Sequence, residues 1–193
     1  KSSAASDVYK RQAAIDSGKY PYNETFDSGA FHFVEDSKGK IYRTSNSDLT
    51  IYDALGKNHG TVTFDKGFVL SSNIGICELL TKYMDPSIYK EYLDKFGFLK
   101  PVNSPFLNNR GGTMSFNYAS EKLSTGFGQA INVNALQMVQ AYSAIFNDGK
   151  MVEPFVVDRI ENANGKIVKQ YDTTIAGQPI SEKTSKYMQK LMK

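Results

Sequence analysis

Apolar residues recur at helical spacing through much of the chain and alternate with polar ones in shorter stretches between turn residues. Phe64, Phe68 and Val69 follow Thr63, a plausible N-cap, with Asp65 in the first turn; the pattern predicts a short helix that gives out near Ser71, Ser72 and Asn73. Ile74, Cys77, Leu79, Leu80 and Tyr83 predict a second helix ended by Asp85-Pro86, and Ile88, Tyr92, Leu93 and Phe96 a third ended by Gly97, with Ser87 as a capping residue at its start. The strongest helix signal covers Ala135 to Phe146: Leu136, Val139, Gln140 and Ser143 set the spacing, Asn134 caps it and Gly149 stops it, with Met138 and Tyr142 expected in the core. Ser181 and Glu182 open a last helix bearing Thr184, Tyr187, Met188 and Leu191. Thr25 to Arg43 reads as an extended hairpin turning at DSKG, and Phe155 to Ile160 and Lys166 to Tyr171 flank Asn164-Gly165, a hairpin turn signal. Thr44 to Gly60 and residues 99 to 122 read as loops.

Composition narrows the function classes. With 193 residues and 40% hydrophobic content the chain fits one domain, or most of one, and shows no internal repeat. The net charge of +3 comes from lysines scattered among acidic residues, without the basic stripe that tracks a phosphate backbone, so a nucleic-acid partner is not expected. The lone Cys77 excludes an internal disulfide and a multi-cysteine metal site and reads as a small buried residue. His32 and His59 have no partners at ligand spacing, and no glycine-rich phosphate loop occurs, so neither a metal nor a cofactor is expected. No stretch is apolar for long enough to cross a bilayer, which places any membrane anchor outside this chain. Residues 1 to 12, KSSAASDVYKRQ, show no hydrophobic period and no apolar core of a signal peptide; they read as a non-native scar, leaving 13 to 193 for fold reasoning.

The candidate chemistry lies in TFDKGFVLSSNIG, Thr63 to Gly75, where Ser71, Ser72 and Asn73 form a Ser-x-Asn triplet, followed downstream by GFGQ at 126 to 129, a helix, a Gly and the strand-like EPFVV. In this order the segments resemble the transpeptidase domain of class B penicillin-binding proteins, and the resemblance covers nearly everything from Ala13 onward. It implies an α/β fold of the α+β type, β-lactamase/transpeptidase-like, with an antiparallel sheet flanked by helices, here a central piece truncated at both ends.

The family uses three motifs, Ser-x-x-Lys, Ser-x-Asn and Lys-Thr-Gly. The resemblance makes Ser71 and Asn73 the catalytic residues of the middle motif. It sets the nucleophilic serine before residue 13, on a helix whose last turn would be Ala13 to Ser17 with Gly18 as cap. Two Ser-x-x-Lys strings occur, Ser37 to Lys40 in a hairpin turn and Ser87 to Lys90 at a helix start, and neither context suits a nucleophile. Lys183-Thr184-Ser185 is one residue from Lys-Thr-Gly but falls in a predicted helix, whereas substrate binding needs an edge strand with Gly at the close approach.

What the resemblance implies is acyl transfer. A serine activated by the lysine one turn later attacks the penultimate D-Ala carbonyl of a peptidoglycan stem peptide, Ser71 passes the proton to the leaving amine, and Asn73 holds the lysine and the substrate carbonyl while Ser72 turns into the packing. An amine of a second stem peptide resolves the acyl-enzyme, and β-lactams acylate the same serine. The partners expected are stem peptides, β-lactams and a cell-wall synthesis complex, on the extracytoplasmic face of the bacterial membrane. The chain departs from the family's FGQG and V-T-P at Ala130 and at Asn134-Ala135; Asn134 can still cap, but Ala130 is strained if its position needs a positive φ. Alternatives are a non-catalytic β-lactam sensor or scaffold of the same fold, a β-lactamase, and an interaction module whose Ser-x-Asn is fortuitous.

Overall fold

The computed structural model describes residues 3–192, in which seven α-helices alternate with short strands that all pair antiparallel. Helix α1 spans Ser3–Asp16 and runs without a break across the boundary read between residues 12 and 13. Val8, Tyr9, Ala13 and Ala14 are buried, and so are Lys10, Arg11 and Gln12, so residues 8 to 14 are enclosed on every side. Arg11 tolerates this because its guanidinium donates to the Tyr20 hydroxyl and the Phe64 carbonyl and lies 4.7 Å from the centre of the Phe68 ring. Gly18, at φ +71°, ends the helix as expected.

The strands form small units rather than one broad sheet. β1 (Thr25–Asp27) pairs not with its neighbour but with β5 (Thr61–Thr63), so the predicted Thr25-to-Arg43 hairpin is shorter: β2 (Phe31–Glu35) and β3 (Ile41–Arg43), joined by 36 to 40. The alternation of β2 carries Phe31 and Phe33 into the core. β4 (Thr50–Ile51) adds to the other edge of β2, and a 3-10 turn, Ala54–Gly56, follows inside the segment read as loop.

Helix α2 is Phe64–Val69, capped as predicted by Thr63, whose side chain accepts from Lys66 N at 3.2 Å. Helix α3, Asn73–Glu78, continues into a π-helical turn, Leu79–Tyr83, and carries Ile74, Ile76, Cys77, Leu79 and Leu80 into the core. Glu78, buried at the end of α3, is ion-paired to Arg43 at 2.7 Å and Lys82 at 2.8 Å. Helix α4 (Pro86–Lys95) has Asp85, not Ser87, as its N-cap: the Asp85 carboxylate accepts from Ser87 N at 2.8 Å. Proline takes the first helical position, which sets the cap one residue before it.

The stretch read as loop from 99 to 122 contains β6 (Thr113–Met114), paired with β7 (Ile131–Asn132), and the start of α5 (Ala119–Thr125). Glu121 makes that start, its carboxylate accepting from Asn117 N at 2.8 Å and Tyr118 N at 3.2 Å. Helix α6 (Ala135–Phe146) has the predicted Asn134 cap, accepting from Gln137 N at 2.9 Å, but its inward stripe is Gln137, Gln140, Ala141, Ala144 and Ile145. Val139 faces out, because the Gln137 side chain points inward and donates to the carbonyls of Phe98 (2.7 Å) and Lys100 (2.8 Å). Met138 and Tyr142 pack on the core from its margin. β8 (Met151–Val152) pairs with β11 (Ile175–Gly177), and β9 (Arg159–Glu161) with β10 (Ile167–Gln170) across the predicted Asn164-Gly165 turn. Helix α7 (Glu182–Leu191) starts at its Ser181 cap, as predicted.

Asp16, the last residue of α1, joins three helices: its carboxylate accepts from Ser181 N (2.7 Å), Thr184 Oγ1 (2.9 Å) and Tyr92 Oη (2.9 Å). Burial opposes ionisation, but the bonds from Ser181, Thr184 and Tyr92 outweigh it and hold the carboxyl below its ordinary 3.8. A carboxyl lowered on folding contributes stability above its unfolded value, and that contribution is lost as pH falls through the folded-state value. Urea midpoints measured as the pH falls below 4 should therefore drop less steeply in Asp16→Asn than in the parent chain, and the variant should lose about 1–2 kcal/mol at neutral pH. Parallel acid limbs would reject this role for Asp16.

Candidate active site

The predicted triplet sits where α2 hands over to α3. Leu70 N donates to Lys66 O, Ser71 N to Phe68 O at 2.9 Å and Ser72 N to Gly67 O at 2.9 Å, the hydrogen bonds of a Schellman ending. That ending puts Ser71 in the left-handed region, at φ +54°, where glycine is the usual occupant. A non-glycine residue there costs about 1–2 kcal/mol, a strain that active sites often store.

Ser72 begins the next helix. Its Oγ accepts from Gly75 N at 3.1 Å and donates to the Asp53 carboxylate (2.9 Å to Oδ2), while Asp53 Oδ1 also accepts from Ile74 N at 3.0 Å. Ser72 is 2% exposed and Asp53 5%, so this is an interior contact. Two of the orphan amides at the α3 start are thereby satisfied, and a carboxylate lies at the positive end of that turn. Asn73 donates from Nδ2 to Tyr52 O at 2.9 Å, so residues 52 and 53 hold both the second and third members of the triplet. Ser71 and Asn73 are half-exposed on either side of buried Ser72. Asp53 escaped the sequence reading because it lies in a polar segment without periodicity.

One ring supports the junction from below. Phe26 of β1 lies against Gly67 of α2 and Gly75 of α3, and a Cβ at either glycine would come within 2.7 Å of it. Gly126, in the GFGQ segment, meets the far end of the same helix: a Cβ there would be 2.7 Å from Leu80 and 2.8 Å from Ile76. Ala130 has φ +54°, the positive φ that strains alanine.

The other candidate strings are placed elsewhere. Ser37 is exposed in the β2–β3 turn, and the Ser87 hydroxyl donates to Asp85 Oδ1 at 2.6 Å rather than meeting a lysine. Lys183-Thr184-Ser185 lies within α7, where Ser185 Oγ donates to Ile145 O at 2.7 Å, so it is not an edge strand. His32 Nδ1 contacts Thr50 Oγ1 at 2.8 Å, and no metal-holding group of three His, Cys, Asp or Glu residues occurs among the described residues. Cys77 is fully buried, and burial pushes its thiol pKa up.

Comparison with known proteins settles the family. The model of the penicillin-binding protein transpeptidase domain matches residues 9–193. The chain belongs to that family. Stage V sporulation protein D of Bacillus subtilis is 31% identical over 133 residues, 66% of this chain and 20% of that protein. The peptidoglycan D,D-transpeptidase FtsI homolog of Mesostigma viride is 26% identical over 148 residues, 72% of this chain and 22% of that protein. The chain thus spans about a fifth of the length of the curated relatives it matches. The crystal structure of penicillin-binding protein 2X from Streptococcus thermophilus superposes with a TM-score of 0.80 at 25% identity, covering 97% of this chain and 26% of that one. A ceftriaxone acyl-enzyme of penicillin-binding protein A from M. tuberculosis gives 0.82 at 16% identity, over 98% and 41%, and supports the β-lactamase-like fold alone.

The geometry separates the first two triplet positions experimentally. Ser71→Gly relieves the left-handed strain and should stabilise the transpeptidase domain by about 0.5–1 kcal/mol, while Ser71→Ala should not. Ser72→Ala removes a cap and leaves the buried Asp53 carboxylate short of a donor, a loss of about 2–3 kcal/mol. Ala130→Gly should behave like Ser71→Gly. Thermal and urea unfolding of the four variants checks the order, and a destabilised Ser71→Gly would contradict the strain.

Proposed function

We propose that Ser71 and Asn73 are the middle-motif residues of a peptidoglycan D,D-transpeptidase that cross-links stem peptides. The observation that carries this is the division of labour within the triplet. Ser72 is buried against Asp53, whereas Ser71 and Asn73 flank it, half-exposed, on a backbone fixed by two helix termini. A hydroxyl both donates and accepts, so Ser71 suits proton transfer to a leaving amine; the Asn73 amide, held through Nδ2 by Tyr52 O, suits positioning.

The reaction also needs a serine with a lysine one helical turn later, and a Lys-Thr-Gly strand. Attack of the serine oxygen on the penultimate D-Ala carbonyl forms the ester and expels terminal D-Ala, Ser71 supplies the proton to its amine, and the amine of a second stem peptide cleaves the ester to make the cross-link. The two Ser-x-x-Lys strings present do not fill the nucleophile's role, so we assign it to a segment other than residues 13 to 193. On this reading the longer protein works on the extracytoplasmic side of the membrane within a cell-wall synthesis complex, and β-lactams acylate it. A β-lactam sensor or scaffold of the same fold is the second reading.

Covalent labelling with a fluorescent penicillin tests the assignment. The 193-residue chain should not label, a longer protein carrying the upstream serine should, and Ser71→Ala in that protein should slow acylation by about 10²-fold or more. Labelling of the chain itself would overturn the exclusion of Ser37 and Ser87. An unchanged acylation rate in Ser71→Ala would remove Ser71 from the mechanism.

A further inference from the structure

The lysines that look scattered in the sequence converge in the fold. A groove of about 540 Å³ is lined by Lys38 and Lys40 from the β2–β3 turn, Lys82 from the π-helical turn, Lys90 from α4 and Lys122 from α5. Neither Ser71 nor Asn73 lines it. The triplet is at the start of α3 and Lys82 near the end of its continuation, roughly 10–15 Å apart at helical rise.

The charge in this groove is unevenly matched. Glu78 engages Lys82 at 2.8 Å and Glu35 engages Lys122 at 2.6 Å. Lys38 and Lys40 make no ion pair among the described residues, and the Lys90 ammonium rests 5.7 Å from the centre of the Phe116 ring. Against these three stands Asp85, the one carboxylate in the lining, already bonded to Ser87 N and Oγ. Concave walls that include Ile41, Leu80, Met84 and Phe116 lower the local dielectric and focus the remaining positive field.

We propose that this groove binds a compact anion carrying two or more phosphate groups. Its cations are all lysines, compact point charges that suit tetrahedral phosphates; no arginine supplies the planar fork that pairs best with carboxylates. The lysines enter from four separate elements, so a ligand that engages them together must present anionic groups at more than one point. The site is independent of the acyl-transfer reading.

Calorimetric titration of the 193-residue chain with inorganic tripolyphosphate at low ionic strength, with amide shifts followed in parallel, tests the proposal. One saturable site is expected, weakened at least tenfold in the Lys38→Gln/Lys40→Gln pair and abolished at 0.5 M NaCl, where screening acts within about 4 Å. The control pair Lys57→Gln/Lys166→Gln, which changes the same charge at exposed positions elsewhere, should leave affinity within twofold. Citrate should bind at least tenfold more weakly than tripolyphosphate. Lys90→Gln provides a second test if the turn variant loses its native circular dichroism. Absence of saturable binding, equal weakening by the control pair, or citrate binding as tightly would each overturn the proposal.

Discussion

The carboxylate of Asp53 is the contact on which the α2–α3 junction depends. It is buried, and burial of a charge is tolerated only where donors meet it; here the Ser72 hydroxyl and the Ile74 amide do so. The same two bonds start α3 in a fixed direction immediately after α2 has stopped. With Tyr52 O holding Asn73, a two-residue segment from a distant loop holds two consecutive side chains and the backbone amide that follows them. The strain at Ser71 follows: the chain must reverse within one residue, because the helix ending before it and the cap after it are both already satisfied.

Around this junction the fold uses two arginines, Arg11 buried and Arg43 partly so, to connect elements that hydrophobic packing alone would leave free to slide. Arg43 bonds Ala30 O and Asp27 O and pairs with Glu78, linking the β1–β2 connection to the end of α3. Arg11 connects α1 to the start of α2 through Phe64 O and to Tyr20, whose hydroxyl donates to Asp65 at 2.7 Å. Each guanidinium reaches more than one acceptor at once, which is why these positions need arginine's several fixed donors.

Much of this was legible in the sequence, and the misses share a cause. Helix ends were readable where a side chain caps its own helix, as at Thr63, Asn134 and Ser181, because the signal is local. Asp53 caps a helix nineteen residues downstream of itself in contact with Ser72, and no local pattern reports that. The stripe of α6 was read with Gln140 but without Gln137, because apolar periodicity cannot register an amide that turns inward to bond loop carbonyls. Residues 1 to 12 show no hydrophobic period, and within them Lys10, Arg11 and Gln12 are buried beside Val8 and Tyr9. The lysine groove was invisible because charge was read along the chain, whereas its members come from four elements.

Phe26 sets a limit on how this part of the family can vary. One phenyl ring fills the space that two glycines on successive helices leave open, so positions 26, 67 and 75 share a single volume. A methyl group gained at 67 or 75 fits only if the ring at 26 shrinks or turns away, and a smaller residue at 26 opens a gap beneath both helices. Relatives should therefore change these three positions together, with side-chain volume exchanged between strand and helices while its total stays nearly constant.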